Sequence, residues 1–125
     1  VFYLTRSFLS GIRRSFARNS HDDGFLRFLR EHDCLQARTL PTAWVAAMAD
    51  YQQRFAVAGQ SEVPVQIIQG TDDGTVDWRK NLPLIREKFP VGCAHLLDNA
   101  RHHLVNESAA FRDLLFARLA GILRC

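Results

Sequence analysis

The sequence has few of the features that define several protein classes. Its three cysteines, at positions 34, 93 and 125, form no Cys-x-x-Cys pair, which argues against a disulfide framework and a zinc knuckle. No apolar run approaches the roughly 18 residues that a membrane-spanning helix needs. The 16 lysines and arginines are scattered, so no basic run indicates binding to nucleic acid. Free thiols fit a reducing compartment, and we therefore expect a cytoplasmic protein.

Acidic residues are absent from the first 20 positions, which hold four arginines: Arg6, Arg13, Arg14 and Arg18. An acid-free, amphipathic start rich in Arg and Ser occurs in mitochondrial transit peptides. We favour instead a helix whose basic face meets solvent or anionic lipid, which predicts peripheral contact with a membrane. Because the chain opens on Val1 rather than Met, we expect these residues not to be the native N-terminus.

The composition suits a globular fold, and the chain has two unlike halves. Its 125 residues, 47% hydrophobic and 23% charged, amount to about one domain. In the first half, FLRFLREHDCLQ and the Ala-rich TLPTAWVAAMADYQQRFAVAG predict helices, the first capped by Asp22 or Asp23. In the second half, VPVQIIQG (63–70) and CAHLL (93–97) predict strands, and helices are predicted over 78–89 and 106–123.

The order strand, helix, strand, helix predicts two parallel strands joined by a right-handed crossover. Natural sheets average about five or six strands, and parallel strands need cover on both faces. The first half supplies only predicted helices. We therefore predict the α/β class, with a helical region over 1–60 and, over 61–125, a βαβα unit that is the end of a larger, incomplete domain.

Chemistry is expected in the two loops that follow the predicted strands, because open parallel sheets bind ligands at the carboxyl ends of their strands. The first loop holds Asp72 and Asp73, and the second holds His102 and His103. Adjacent strands lie about 4.8 Å apart, so an acid on one loop can reach a histidine on the other. An Asp that orients a His is the supporting half of a Ser–His–Asp triad, and Asp before His is the chain order in α/β-hydrolases.

The segment IIQGTDDGTVDW resembles a segment of α/β-hydrolases in which a strand ends at Gly, the triad Asp follows three residues later, and a Val stands three beyond that. On that pattern Gly70, Asp73 and Val76 align, so the resemblance implies that Asp73 rather than Asp72 is the catalytic acid.

The segment ARHHLVNES is similar to the C-terminal histidine motif of the same family. The similarity implies that His102 is the catalytic base, while His103 stands where the family usually has Glu. FLRFLREHDCLQ and LPTAWVAAM look like the helical cap of the branch that includes lysophospholipases, monoacylglycerol lipases and serine aminopeptidases, with Cys34 in place of an expected Pro. The resemblance covers most of the chain and is strongest over 63–108.

The nucleophile that this resemblance implies is missing from the sequence. No Gly-x-Ser-x-Gly elbow is present; Gly59-Gln60-Ser61 matches its first half, but Ser61 precedes a strand and would lie on the order of 20 Å from Asp73. Cys93 begins a strand at the same wrong end, and we expect it to be a buried structural thiol. The chain is therefore expected to be the C-terminal part of a hydrolase, inactive alone.

The resemblance implies a serine hydrolase of carboxylic esters, a lysophospholipase or monoacylglycerol lipase, with a small lipid ester as substrate and no cofactor, metal or nucleic acid. Residues 1–60 would be a helical cap that covers the site and shapes an apolar acyl pocket. Two alternatives are a non-catalytic, hydrolase-like binding module and a peptidase of the same fold. A metal site at His102, His103, Asp73 and Asp77 is disfavoured, because adjacent histidines are poor co-ligands and no HExxH motif is present.

Three further residues near the predicted site have expected roles. We expect Arg101 and Asn106 to anchor the histidine loop, and His103 to be structural or to line the pocket.

Overall fold

The computed structural model describes residues 11–14 and 17–123, in which helices and short strands are mixed. The chain divides into two compact units, the first formed by Val1–Phe16 and Asp33–Ala58 and the second by Ala17–His32 and Gly59–Cys125. The α/β class is thus present. The sequence places the division near residue 60, close to the end of the first unit at Ala58. Ala17–His32, however, belongs to the second unit.

The first unit contains two short strands and one long helix. Strands β1 (Gly11–Arg13) and β2 (Thr39–Pro41) pair antiparallel, with Ile12 opposite Leu40. The expectation that the first half supplies only helices is therefore wrong, and Gly11–Arg13, within the basic helix expected over the first 20 residues, form β1 instead. Arg6 lies outside the described residues. Three-residue strands are too short to show the alternation that identifies a strand in a sequence.

The helix of this first unit, α2 (Thr42–Val57), begins directly after Pro41 and has Ala58 as its C-cap. Pro suits the start of a helix because its missing N–H would have no partner there. Along α2, Trp44, Met48 and Tyr51 follow one another at helical spacing, and all three side chains are exposed.

The second unit is built on two parallel strands, as predicted. Strands β3 (Gln66–Gly70) and β4 (Cys93–Leu97) pair with Ile68 opposite His95. Strand β3 starts three residues later than predicted, after Pro64, which has no N–H for a ladder. Between the strands, α3 (Trp78–Lys88) runs continuously through Pro83, and the Asp77 side chain accepts a hydrogen bond from Lys80 N.

Two more helices complete the second unit. Helix α1 (Asp23–Glu31) is capped by Asp22, whose side chain accepts from Phe25 N at 2.8 Å, as one of the two predicted caps. Helix α4 (Ala109–Ile122) starts three residues later than predicted, because residues 104–106 form a separate 3₁₀ turn. The buried core consists of Leu97, Ala100 and Leu115, with Ile68, Leu104, Phe111 and Leu119 packed against it.

None of the helices in the described part of the chain has the length and apolar character needed to span a membrane.

Candidate active site

Two loops meet at the carboxyl ends of β3 and β4, and backbone hydrogen bonds hold them together. Thr71 N donates to Leu97 O and Asp72 N donates to Ala100 O, both at 3.0 Å. Gly70 makes this approach possible, because a Cβ there would overlap the carbonyl of Ala100 and lie 2.7 Å from Arg101 O. The close approach brings the loop that carries the acids against the loop that carries the histidines.

The histidine loop starts with a tight turn at Asn99. The φ angle of Asn99 is 60°, in the left-handed region that Asn tolerates better than most residues. Asn99 N donates to Thr71 Oγ1 at 2.8 Å, so this turn is tied to the residue that directly follows β3.

The structure brings Asp73 and His102 into direct contact. Nδ1 of His102 lies 2.9 Å from Oδ2 of Asp73; the Asp73 side chain is 3% exposed and that of His102 is 35% exposed. The carboxylate has three further donors: Gln69 Nε2 at 3.1 Å to Oδ2, Thr75 N at 2.8 Å and Val76 N at 3.2 Å to Oδ1. Both oxygens are therefore occupied, and the carboxylate is fixed in direction.

The charge of Asp73 is set by two opposing effects. Burial raises the pKa of its carboxyl, but the hydrogen bonds from His102, the backbone at Thr75 and Gln69 outweigh burial and lower the pKa below 3.8. Asp73 is therefore ionised at neutral pH. An ionised carboxylate can only accept, so Nδ1 of His102 carries the hydrogen and the neutral ring has its lone pair on Nε2.

The neighbouring acid and histidine have other partners. Asp72 is exposed and accepts from Arg101 Nε at 3.1 Å. The His103 ring meets Phe25 edge-on at 5.2 Å and the His102 ring edge-on at 5.4 Å, and its backbone N donates to Asn19 O at 3.0 Å. Of the four candidates on the two loops, the structure pairs Asp73 with His102. The contacts of His103 agree with the structural role expected for it.

The expected loop anchors are also in place. Arg101 Nη1 donates to Ser20 O at 3.0 Å, and Asn106 O accepts from Ser20 Oγ at 2.7 Å. Glu107, a residue for which the sequence predicted no role, lies beneath them with a side chain that is 0% exposed. The sequence feature that could have indicated a role for Glu107 is its place in the Asn-Glu pair of ARHHLVNES.

No serine or cysteine of the described residues hydrogen-bonds to His102. Ser61 N donates to Lys88 O before β3 begins, at the opposite end of that strand from Asp73, as expected. Ser20 is buried, and its Oγ is engaged with Asn106 O and Asp22 N. The expectation of a buried thiol at Cys93 is wrong, because this first residue of β4 is exposed.

The described residues contain no group of three or more His, Cys, Asp or Glu side chains arranged to hold a metal ion. In comparisons with known proteins, no protein-family model matches the chain, and no curated protein matches it.

Proposed function

We propose that the chain is the C-terminal part of an α/β-hydrolase that cleaves carboxylic esters, with Asp73 and His102 as acid and base of a Ser–His–Asp triad. The observation that carries this proposal is the 2.9 Å contact between His102 Nδ1 and a carboxylate whose side chain is 3% exposed. Such a contact fixes the imidazole tautomer and stabilises the imidazolium, which is the function of the triad acid.

The base of the proposed triad would act through Nε2. His102 takes the serine proton as the serine oxygen attacks the ester carbonyl, and then gives that proton to the departing alcohol. A water molecule then attacks the acyl-enzyme. His102 takes the proton of that water and returns it to the serine oxygen, and the carboxylic acid is released. Two features suit this role: the ring is partly exposed, and none of the described residues hydrogen-bonds to Nε2.

The proposed serine and oxyanion-hole donors lie outside these 125 residues. Two observations support this view. None of the described serines hydrogen-bonds to His102, and the second unit has exposed apolar side chains on β4 and α4, namely Leu96, Leu114 and Phe116. Parallel strands are normally covered on both faces, so further strands and helices of the same domain would bury these side chains. The 125 residues alone are expected to be inactive.

The substrate class in this proposal is a lipid ester, as in lysophospholipases and monoacylglycerol lipases. It rests on the resemblance of 24–50 to the cap of that branch, and the exposed Trp44 and Met48 of α2 are apolar side chains suited to contact with an acyl chain. We further propose that the protein is cytoplasmic and makes peripheral contact with membranes.

Activity-based labelling tests the proposal. The natural full-length protein that contains this sequence is treated with a fluorophosphonate probe, beside His102→Gln and the matched control His103→Gln. We expect one serine to be labelled in the wild type and in the control, and labelling to be lost in His102→Gln. Equal labelling of all three proteins would contradict the assignment of the base. No labelling of the wild type would favour the non-catalytic binding module, and faster cleavage of amides than of esters would favour a peptidase.

A further inference from the structure

Glu107 is a fully buried carboxylate outside the proposed triad, and its two oxygens are surrounded by hydrogen-bond donors. Oε1 accepts from Arg101 N at 2.7 Å and lies 3.0 Å from His21 Nδ1. Oε2 accepts from His21 N at 2.7 Å and from Ser108 N at 3.1 Å. Burial of a carboxylate is costly unless it is hydrogen-bonded on both oxygens, and here both are.

These hydrogen bonds join three different segments of the chain. Arg101 belongs to the histidine loop, Ser108 directly precedes α4, and His21 lies before α1, 86 residues away from Glu107 in the chain. The His21 ring also stacks on Phe111 of α4 with ring centres 5.0 Å apart. Glu107 therefore holds the histidine loop onto the start of two helices.

The residues on both sides of His102 are anchored by hydrogen bonds. Arg101 N is bound by Glu107, and Arg101 Nη1 donates to Ser20 O at 3.0 Å. His103 N donates to Asn19 O at 3.0 Å. The backbone before His102 is thus held by Glu107 and the backbone after it by Asn19, while the Arg101 side chain is tied to Ser20 and the His102 ring contacts Asp73.

We propose that Glu107 is a positioning residue for His102, which it holds over Asp73 through the peptide of Arg101. The effect on catalysis rests on the proposed hydrolase function, whereas the effect on the geometry of His102 does not.

The chemistry of the site requires a carboxylate rather than an amide. In Glu107→Gln the side-chain NH₂ must face donors in either orientation, because Arg101 N stands at one oxygen and His21 N at the other. Burial raises the pKa of Glu107, and hydrogen bonds from the backbone of His21 and Arg101 and from the His21 ring outweigh it, so that the pKa falls below 4.5. Glu107 is therefore ionised at neutral pH and accepts on both oxygens.

The test uses Glu107→Gln in the natural full-length protein, with two readouts. In the wild type, the His102 Nδ1 proton shared with Asp73 should give a low-field ¹H resonance, identified by its loss in His102→Gln. In Glu107→Gln we expect that resonance to broaden through exchange with water. We also expect kcat to fall on the order of 10- to 100-fold, with KM changed far less, because a displaced base affects the reaction more than binding.

Leu26→Ala is the control, since it removes buried apolar surface from the same unit and no hydrogen bond to the histidine loop. It should lower stability and leave both the resonance and kcat near wild-type values. A Glu107→Gln protein with a sharp wild-type resonance would overturn the proposal, whether or not the wild type hydrolyses esters. Absence of hydrolysis by the wild type, with the resonance behaving as expected, would instead count against the hydrolase function alone.

If Glu107→Gln does not fold, His21→Phe decides the matter. This substitution keeps the ring against Phe111 and the backbone donor of residue 21, and it removes only the Nδ1 contact with Glu107. Faster exchange of the His102 proton, with a fall in kcat at constant KM, supports positioning through Glu107. Unchanged exchange and unchanged kcat overturn it.

Discussion

His102 Nδ1 lies 2.9 Å from Asp73 Oδ2, although 29 residues separate the two side chains in the sequence. The contact depends on the parallel pairing of β3 with β4, which ends both strands at the same edge of the sheet. It depends also on the glycine that lets the two loops touch. The strands, Gly70 and the hydrogen bonds to the Asp73 carboxylate therefore together hold Asp73 against His102. A change to any one of them should have a measurable effect.

Asp73→Asn should reduce kcat for ester hydrolysis by the full-length protein by about 10⁴-fold, because an amide at this position no longer selects the imidazole tautomer. Asp72→Asn is the matched control: its carboxylate contacts Arg101 rather than His102, and we expect a change of no more than a few-fold. Steady-state kinetics on both variants checks this. Similar losses in the two variants would show that Asp73 has no special role.

Gly70→Ala should destabilise the protein by about 1–3 kcal/mol, because the added methyl group meets backbone atoms of Ala100 and Arg101 that cannot turn aside. It should also lower kcat by separating the two loops. Gly74→Ala provides the control, since a Cβ at Gly74 meets nothing within 4 Å, and its free energy of unfolding should stay within about 1 kcal/mol of the wild type. Urea denaturation measures both. Equal stability of the two variants would contradict the close-approach argument.

Acid should weaken the fold through Asp73 and Glu107. The pKa of each carboxyl is lowered in the folded protein, from ordinary values of 3.8 and 4.5, so the unfolded chain binds more protons in acid. Their stabilisation is fully present above the ordinary pKa values and is lost as the pH falls through the lowered ones. The urea midpoint should therefore fall as the pH is lowered from above 4.5 to below 3.8, and less steeply in Asp73→Asn. The same slope in that variant would contradict this account of Asp73.

The parts of the fold that follow from local pattern could be predicted from the sequence. CAHLL has a strand composition and forms β4 at the predicted bounds, and Asp22 caps α1 as one of the two predicted caps. The contact between the acid loop and the histidine loop followed from the geometry of parallel strands. Its catalytic role remains a prediction.

Other features depend on contacts that no local pattern contains. β1 and β2 have three residues each, too few for an alternation. Helix α4 starts after a separate 3₁₀ turn and after Glu107, whose side chain accepts from three backbone donors, one of them on a residue 86 positions away. The prediction of a buried Cys93 rests on the usual burial of cysteines, whereas this residue is exposed at the start of a strand in a two-stranded sheet.

The ratio of kcat/KM for His102→Gln to that for His103→Gln, measured on a lipid ester with the full-length protein, tests the central claim most directly. The two substitutions are identical and adjacent, so differences in composition cancel. A triad base predicts that His102→Gln loses about 10³-fold or more, whereas His103→Gln stays within about tenfold of the wild type. Equal rates for the two variants would contradict the assignment of His102 as the base.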